Sequence, residues 1–207
     1  MATSLPFLTF PGEIRNHIYT LLLVVPSPST TTAPRKTPPI YPEILRVNKQ
    51  VHHEALPFLY AHNTFIAHPI RLYRIPQLRR WIKPVQAPHL IATIRRFHVF
   101  VRLKCDAGFS AEAATVAFSG VEELTIEVFK SQFKGSGNEV LRLFEGVRGV
   151  RRARVFGNVA EWPEYVAWLQ SKMMSNEGCE LLALGGRKGI DDLKLYPHMS
   201  ETVQVAA

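Results

Sequence analysis

The sequence predicts a mixed α/β (α+β) protein, a short helical module followed by a body in which strands and helices alternate. Three observations carry this. Apolar residues recur at helical spacing in two early segments. A proline-rich stretch separates those segments. The chain from residue 90 to 156 then contains three related units, each ending in a strand-like run.

The elements follow in order. Pro11 and Gly12 open a helix running from Glu13 to about Val25, with Ile14, Ile18, Leu21, Leu22 and Val25 as one apolar face. Glu13 in its first turn suits the helix dipole. Residues 26–39 carry five prolines in fourteen positions, which excludes a helix or a central strand and reads as an exposed loop, 26–40. A second helix is expected from about Pro42 to Leu56, lined by Ile44, Val47, Val51 and Ala55, with Pro57 breaking or restarting it and Phe58, Leu59 and Tyr60 continuing in a short turn. Residues 63–66, Asn-Thr-Phe-Ile, read as a strand. Ile70 to about Lys83 reads as helical around Pro76, with Leu72, Tyr73, Leu78 and Trp81 for burial.

The three related units are LIATIRRFHVFV (90–101), AFSGVEELTIEV (117–128) and LFEGVRGVRRARVF (143–156). Ile91, Phe118 and Val147 form one column, and Ile94, Val121 and Val150 the next. Phe97, Leu124 and Ala153 follow, then Val99, Ile126 and Val155. Matching positions are 27 and 29 residues apart. Helix-like stretches lie between the units at Ala111–Phe118 and Asn138–Phe144, with Asn138 as an N-cap, and a further helix spans Glu161 to about Met174. This alternation implies neighbouring parallel strands with helices on one side. It resembles a short, irregular leucine-rich-repeat-like βα body. The expected division is a helical module over 1–66, the body over 67–185 and a loose tail over 186–207, apart from LKLY at 193–196.

Charge is unevenly placed. The chain has 207 residues and a net charge of +8, yet residues 1–104 carry 14 Lys/Arg against 3 Asp/Glu (+11), and residues 105–207 carry 11 against 14 (−3). The split points to an acidic partner for the first half. No apolar stretch approaches the ~20 residues of a membrane span. The N-terminus lacks the charge and apolar pattern of a signal peptide. Two cysteines, Cys105 and Cys179, make no disulfide framework, so an intracellular compartment, cytoplasm or nucleus, is expected.

Motifs for chemistry are sparse. His52-His53-Glu54 and His62 do not form HExxH, and no CxxC, GxSxG or Walker loop occurs, so neither metal, cofactor nor catalysis is expected. Gly185 to Gly189 reads as a flexible turn. Ser27-Pro28 and Thr37-Pro38 are short matches to phosphorylation sites beside basic residues. Nucleic acid is the runner-up partner. Arg71, Arg74, Arg79, Arg80 and Lys83 form a basic stretch interleaved with Tyr73 and Trp81. Arg95-Arg96 and Arg151-Arg152 fall at equal heights if the units stack, with Glu122-Glu123 between them. That interrupts a phosphate track and equally suits pairing between strands.

Two segments carry a family resemblance. Phe10-Pro11-Gly12-Glu13-Ile14-Arg15-Asn16-His17-Ile18-Tyr19 is the first. Ile44 to Tyr60 (ILRVNKQVHHEALPFLY), followed by Asn63-Thr64-Phe65, is the second. Together they resemble the fungal F-box-like proteins of the two-EXR type, with the pattern LPxEIRNxIY…LRVxRQxxxEALPxLY…NTF. Phe10 stands where Leu is usual, and Asn48-Lys49 where a small residue and Arg are usual. The resemblance covers about residues 5–66. It implies an F-box-like module docking on the acidic Skp adaptor of a cullin-RING ubiquitin ligase while the body presents a protein ligand. It puts Leu5, Pro6, Phe7, Leu8 and Ile18 on the docking surface, with Arg15, Arg46 and Lys49 as steering charges. The alternative is that Ile14, Ile18, Val47 and Val51 form a core and that Arg15 or Arg46 pairs with Glu54.

Overall fold

A computed structural model describes residues 6–25, 39–80, 82–103, 107–129 and 137–176. The Pro-rich loop at 26–38, Leu5, Trp81, both cysteines and everything after residue 176, including GGRKG and LKLY, lie outside the described residues. So do Ser27 and Thr37.

The first described part is helical. A 3-10 turn at Phe7–Thr9 leads into α1, Gly12–Leu23, and a second at Pro42–Arg46 leads into α2, Lys49–Tyr60. Asn48 starts α2: its Oδ1 accepts the Gln50 N–H at 2.7 Å, satisfying one of the free donors of the first turn. The chain then enters a five-stranded sheet of order β2-β1-β3-β4-β5, where β1 is Thr64–His68, β2 Leu72–Gln77, β3 Arg96–Arg102, β4 Glu123–Phe129 and β5 Arg152–Gly157. β1 and β2 form an antiparallel hairpin, and β1, β3, β4 and β5 run parallel. Among the described residues the helices of this part are α3 (Pro88–Ile91), α4 (Ala111–Phe118), α5 (Glu139–Arg142) and α6 (Pro163–Met174). The fold is mixed α/β, as the sequence predicts.

The parallel register carries the columns read from the sequence. Phe97 lies beside Leu124 and Leu124 beside Ala153; Val99 lies beside Ile126 and Ile126 beside Val155. These side chains face a core completed by Ala114 and Phe118 of α4, Val140 and Leu141 of α5, and Val166, Leu169 and Met173 of α6. α4 occupies the expected residues, capped by Ser110, whose Oγ accepts the Ala113 N–H. Asn138 holds the N-cap position of α5, but its side chain makes no capping bond.

Three expectations are corrected. Residues 70–80 are not helical: β2 occupies Leu72–Gln77. It lies at the sheet edge, where Pro76 can sit without robbing a central ladder of a donor. His68 fixes the preceding turn, its Nδ1 accepting the N–H groups of Ile70 and Arg71 at 3.1 Å each. Leu72 is buried and Leu78 half-buried, as expected of both. The second correction concerns Pro57, which does not end α2. The helix runs on to Tyr60, because Leu59 and Tyr60 beyond the proline pack into apolar clusters and offset the one helical hydrogen bond Pro57 withholds. Finally, the buried face of α1 is turned by about one residue, or 100°. Tyr19 and Leu23 are buried, whereas Ile14 and Leu21 stand out at 49% and 68% exposure.

Candidate functional site

The inward face of α1 is set by one carboxylate. Arg15 Nε and Nη2 donate to Glu54 Oε2 and Oε1 at 2.8 Å each, a two-pronged pair. The Tyr19 hydroxyl donates to Oε2 at 2.9 Å, and Gln50 Nε2 to Oε1 at 2.9 Å. Arg15 also donates to the Phe10 carbonyl, tying down the chain that enters α1. The Arg15 guanidinium first, then Gln50 and Tyr19, hold the Glu54 carboxyl at about 2, well below its ordinary 4.5. The Tyr19 hydroxyl is pushed up, by burial first and then by Glu54. Phe7 and Phe58 pack on the Tyr19 ring, with centroids 5.9 and 5.7 Å away. This network draws Tyr19 inward and leaves the next stripe of the helix outside.

That stripe is Ile14, Ile18 and Leu21, spaced i, i+4, i+7 and so on one side of α1. Ile14 and Leu21 are exposed and Ile18 is half-buried. Leu8 and Pro6, just before the helix, are exposed too. On the second motif, Arg46, Val47 and Lys49 are exposed, Val47 at 72%. With His52 and His53 they line a shallow basic depression of about 350 Å³.

The residues expected on a docking surface therefore divide. Pro6, Leu8, Arg46 and Lys49 are exposed; Ile18 is partly covered; Leu5 lies outside the described residues. Phe7 is half-buried, its ring packing against Tyr19 and the helical cluster. Arg15 is paired with Glu54, and of the two candidates for that pair it is Arg15, not Arg46, that makes it. Of the alternative core of Ile14, Ile18, Val47 and Val51, only Val51 is fully buried, and Ile14 and Leu21 extend the exposed stripe.

No protein-family model, curated protein or solved structure matches this chain.

The basic stretch of 71–83 does not converge. Without a helix there, Arg71 and Arg74 sit exposed at the β1–β2 hairpin, and Arg79 and Lys83 border a groove beside Leu78 and Val85. Arg80 reaches the sheet, its guanidinium 4.8 Å from the Phe100 ring centroid. The paired heights of 95–96, 122–123 and 151–152 resolve as ion pairs: Glu122 meets Arg96 at 3.1 Å and Arg151 at 3.6 Å, and Glu123 meets Arg152 at 3.7 Å. No three described His, Cys, Asp or Glu residues gather as a metal site. No helix among the described residues is long and apolar enough to cross a membrane.

One arrangement gathers residues of three strands on a single face. The sheet face opposite the core carries Arg96, His98, Phe100 and Arg102 of β3, Glu123, Thr125, Glu127 and Phe129 of β4, and Arg152, Arg154 and Phe156 of β5. At its centre His98 Nε2–H donates to Glu127 Oε2 at 3.0 Å. Burial first, aided by Arg80, holds the His98 imidazole below its ordinary 6.5 against the pull of Glu127. The signal was present as strand parity: each of the three aromatics falls at an outward position of its strand.

Proposed function

We propose that this chain is a non-catalytic protein–protein interaction protein whose F-box-like helical module, residues 1–66, docks on an acidic adaptor of the Skp type. Residues 67–185, read as a leucine-rich-repeat-like body, then present a further protein ligand to the ligase. The observation that carries this is the exposed stripe Ile14–Ile18–Leu21 with Leu8. It is apolar surface that the module's own core, centred on Tyr19, Leu23, Val51, Ala55 and Leu59, leaves uncovered. A partner helix laid against such a stripe buries it by the usual helix-in-groove packing. The depression carrying Arg46 and Lys49 supplies positive charge that suits an acidic partner and speeds its approach. This role belongs to an intracellular compartment.

The test is co-purification with a recombinant Skp-type adaptor. Wild type is expected to retain the adaptor, and Ile14→Asp and Leu21→Asp, both at exposed positions, to lose it while remaining folded by circular dichroism. Arg46→Glu with Lys49→Glu is expected to slow association more at low salt than at high salt. A well-folded wild-type protein that recovers no adaptor removes the ligase reading.

A further inference from the structure

We infer that the open face of the sheet binds single-stranded nucleic acid, with bases stacked on its aromatic and guanidinium planes. This goes beyond adaptor docking, and it uses other residues.

The face presents flat surfaces in a fixed array. Phe100, Glu127 and Phe156 stand side by side on β3, β4 and β5, which sets the two rings roughly 10 Å apart, two strand spacings. Each ring carries a cation: the Arg80 guanidinium lies 4.8 Å from the Phe100 centroid, and that of Arg154 lies 5.3 Å from the Phe156 centroid. Phe129 is 5.9 Å from Phe100 and 39% exposed, a large apolar ring left in water on a polar face. A guanidinium over an aromatic ring adds a second planar group on which a base can stack, and its charge suits a phosphate. Phe129, exposed, with Phe100 and Phe156, half-buried, among arginines give unpaired bases rings to stack on, because every base has a face to stack.

Charge points the same way. Arg80, Arg96, Arg102, Arg152 and Arg154 stand on this face against Glu123 and Glu127, with Glu122 beside it. Glu122 meets Arg96, Glu123 meets Arg152, and His98 donates to Glu127. Five guanidinium groups against three carboxylates leave the face with a positive excess. Bases in a duplex are stacked on each other and hide their faces, so rings that stack on bases favour a single strand. An acidic peptide would satisfy the arginines but leave the Phe129 ring without a matching plane.

The test uses the full chain and fluorescein-labelled oligo-dT and oligo-U, with a hairpin duplex of equal length beside them, followed by fluorescence anisotropy. Single strands are expected to bind at least about tenfold more tightly than the duplex, with affinity falling linearly in log salt. Phe129→Ala, at an exposed position, is expected to weaken binding by about tenfold. Arg154→Lys keeps the charge but loses the plane and is expected to weaken it as well. Arg71→Glu with Arg74→Glu, away from the face, should change it far less. The inference falls if the folded protein gives no anisotropy change at about 50 mM salt. It also falls if both face variants bind like wild type, or if a poly-glutamate peptide of equal charge binds as tightly as the oligonucleotide.

Discussion

Asn63 is buried and uses its whole amide on the backbone. Its Nδ2 donates to the Leu23 carbonyl at 2.7 Å and the Leu59 carbonyl at 2.9 Å, and its Oδ1 accepts the Val25 N–H at 2.7 Å. It thus joins the ends of α1 and α2 to the start of β1. Asn63→Leu would bury those groups without partners and is expected to cost at least about 3 kcal/mol in urea unfolding. Glu54 gives a pH signature. Its folded value of about 2 lies below the ordinary 4.5, so its ion pair contributes fully above about 4.5 and is lost as pH falls toward 2. The urea midpoint of wild type is therefore expected to drop between about pH 5 and about pH 3. Glu54→Gln has no proton to gain there and should show a smaller drop. The motif residues were legible here as a set, but not their roles. Spacing placed Arg15 and Glu54 on facing helices, and only three-dimensional packing decided that Arg15, rather than Arg46, reaches the carboxylate.

Among the elements, the parallel strands were the most legible. A buried column demands an apolar residue at the same height in each unit, so Phe97, Leu124 and Ala153 could be aligned by eye. β2 was not legible, because Pro76 and scattered apolar residues fit a kinked helix as well as an edge strand. The face of α1 was misplaced by one residue. Ile, Leu and Val outweigh Tyr in an apolar count, whereas a ring with a hydrogen-bonded hydroxyl is what the core selects. The open sheet face was legible only in part, because its aromatics alternate with charges, so each strand looked half-solvated. At the end of β5, Gly157 has φ +103°, and a Cβ there would run into the Val128 carbonyl oxygen of β4. Gly157→Ala is expected to destabilise by about 1–3 kcal/mol through backbone strain and displacement of the strand end. A lowered thermal midpoint with unchanged far-ultraviolet dichroism at room temperature would register it.

On the scale of the molecule, the charge split is a matter of pairing across the sheet rather than of separate domains. Its boundary at residue 104 falls just after β3, and Arg96 of β3 meets Glu122, beside β4, which also receives Arg151 from the third unit. Two apolar clusters underlie the fold, one in the helices and one in the sheet. Tyr60 and Leu78 pack against both. Tyr60 stacks on Phe65 of β1 at 5.8 Å, so the end of α2 is fastened to the sheet by a ring pair. A groove of about 570 Å³ runs along this junction, bordered by Ile40, Leu59, Tyr60, Phe65, Leu78 and Val85. With so few side chains shared, the coupling between helices and sheet rests on a narrow contact. Wild type is expected to unfold in one transition in calorimetry, since Asn63 and Tyr60 connect the clusters through both backbone and side chain. Tyr60→Ala removes the ring pair and widens the groove, and is expected to cost about 3 kcal/mol. If the clusters are coupled chiefly through that ring, the variant will melt in two steps, with the small helical cluster first and the strand-paired core later. A single transition shifted as a whole would instead place the coupling in the Asn63 clamp, and Asn63→Leu would then be the variant that splits it.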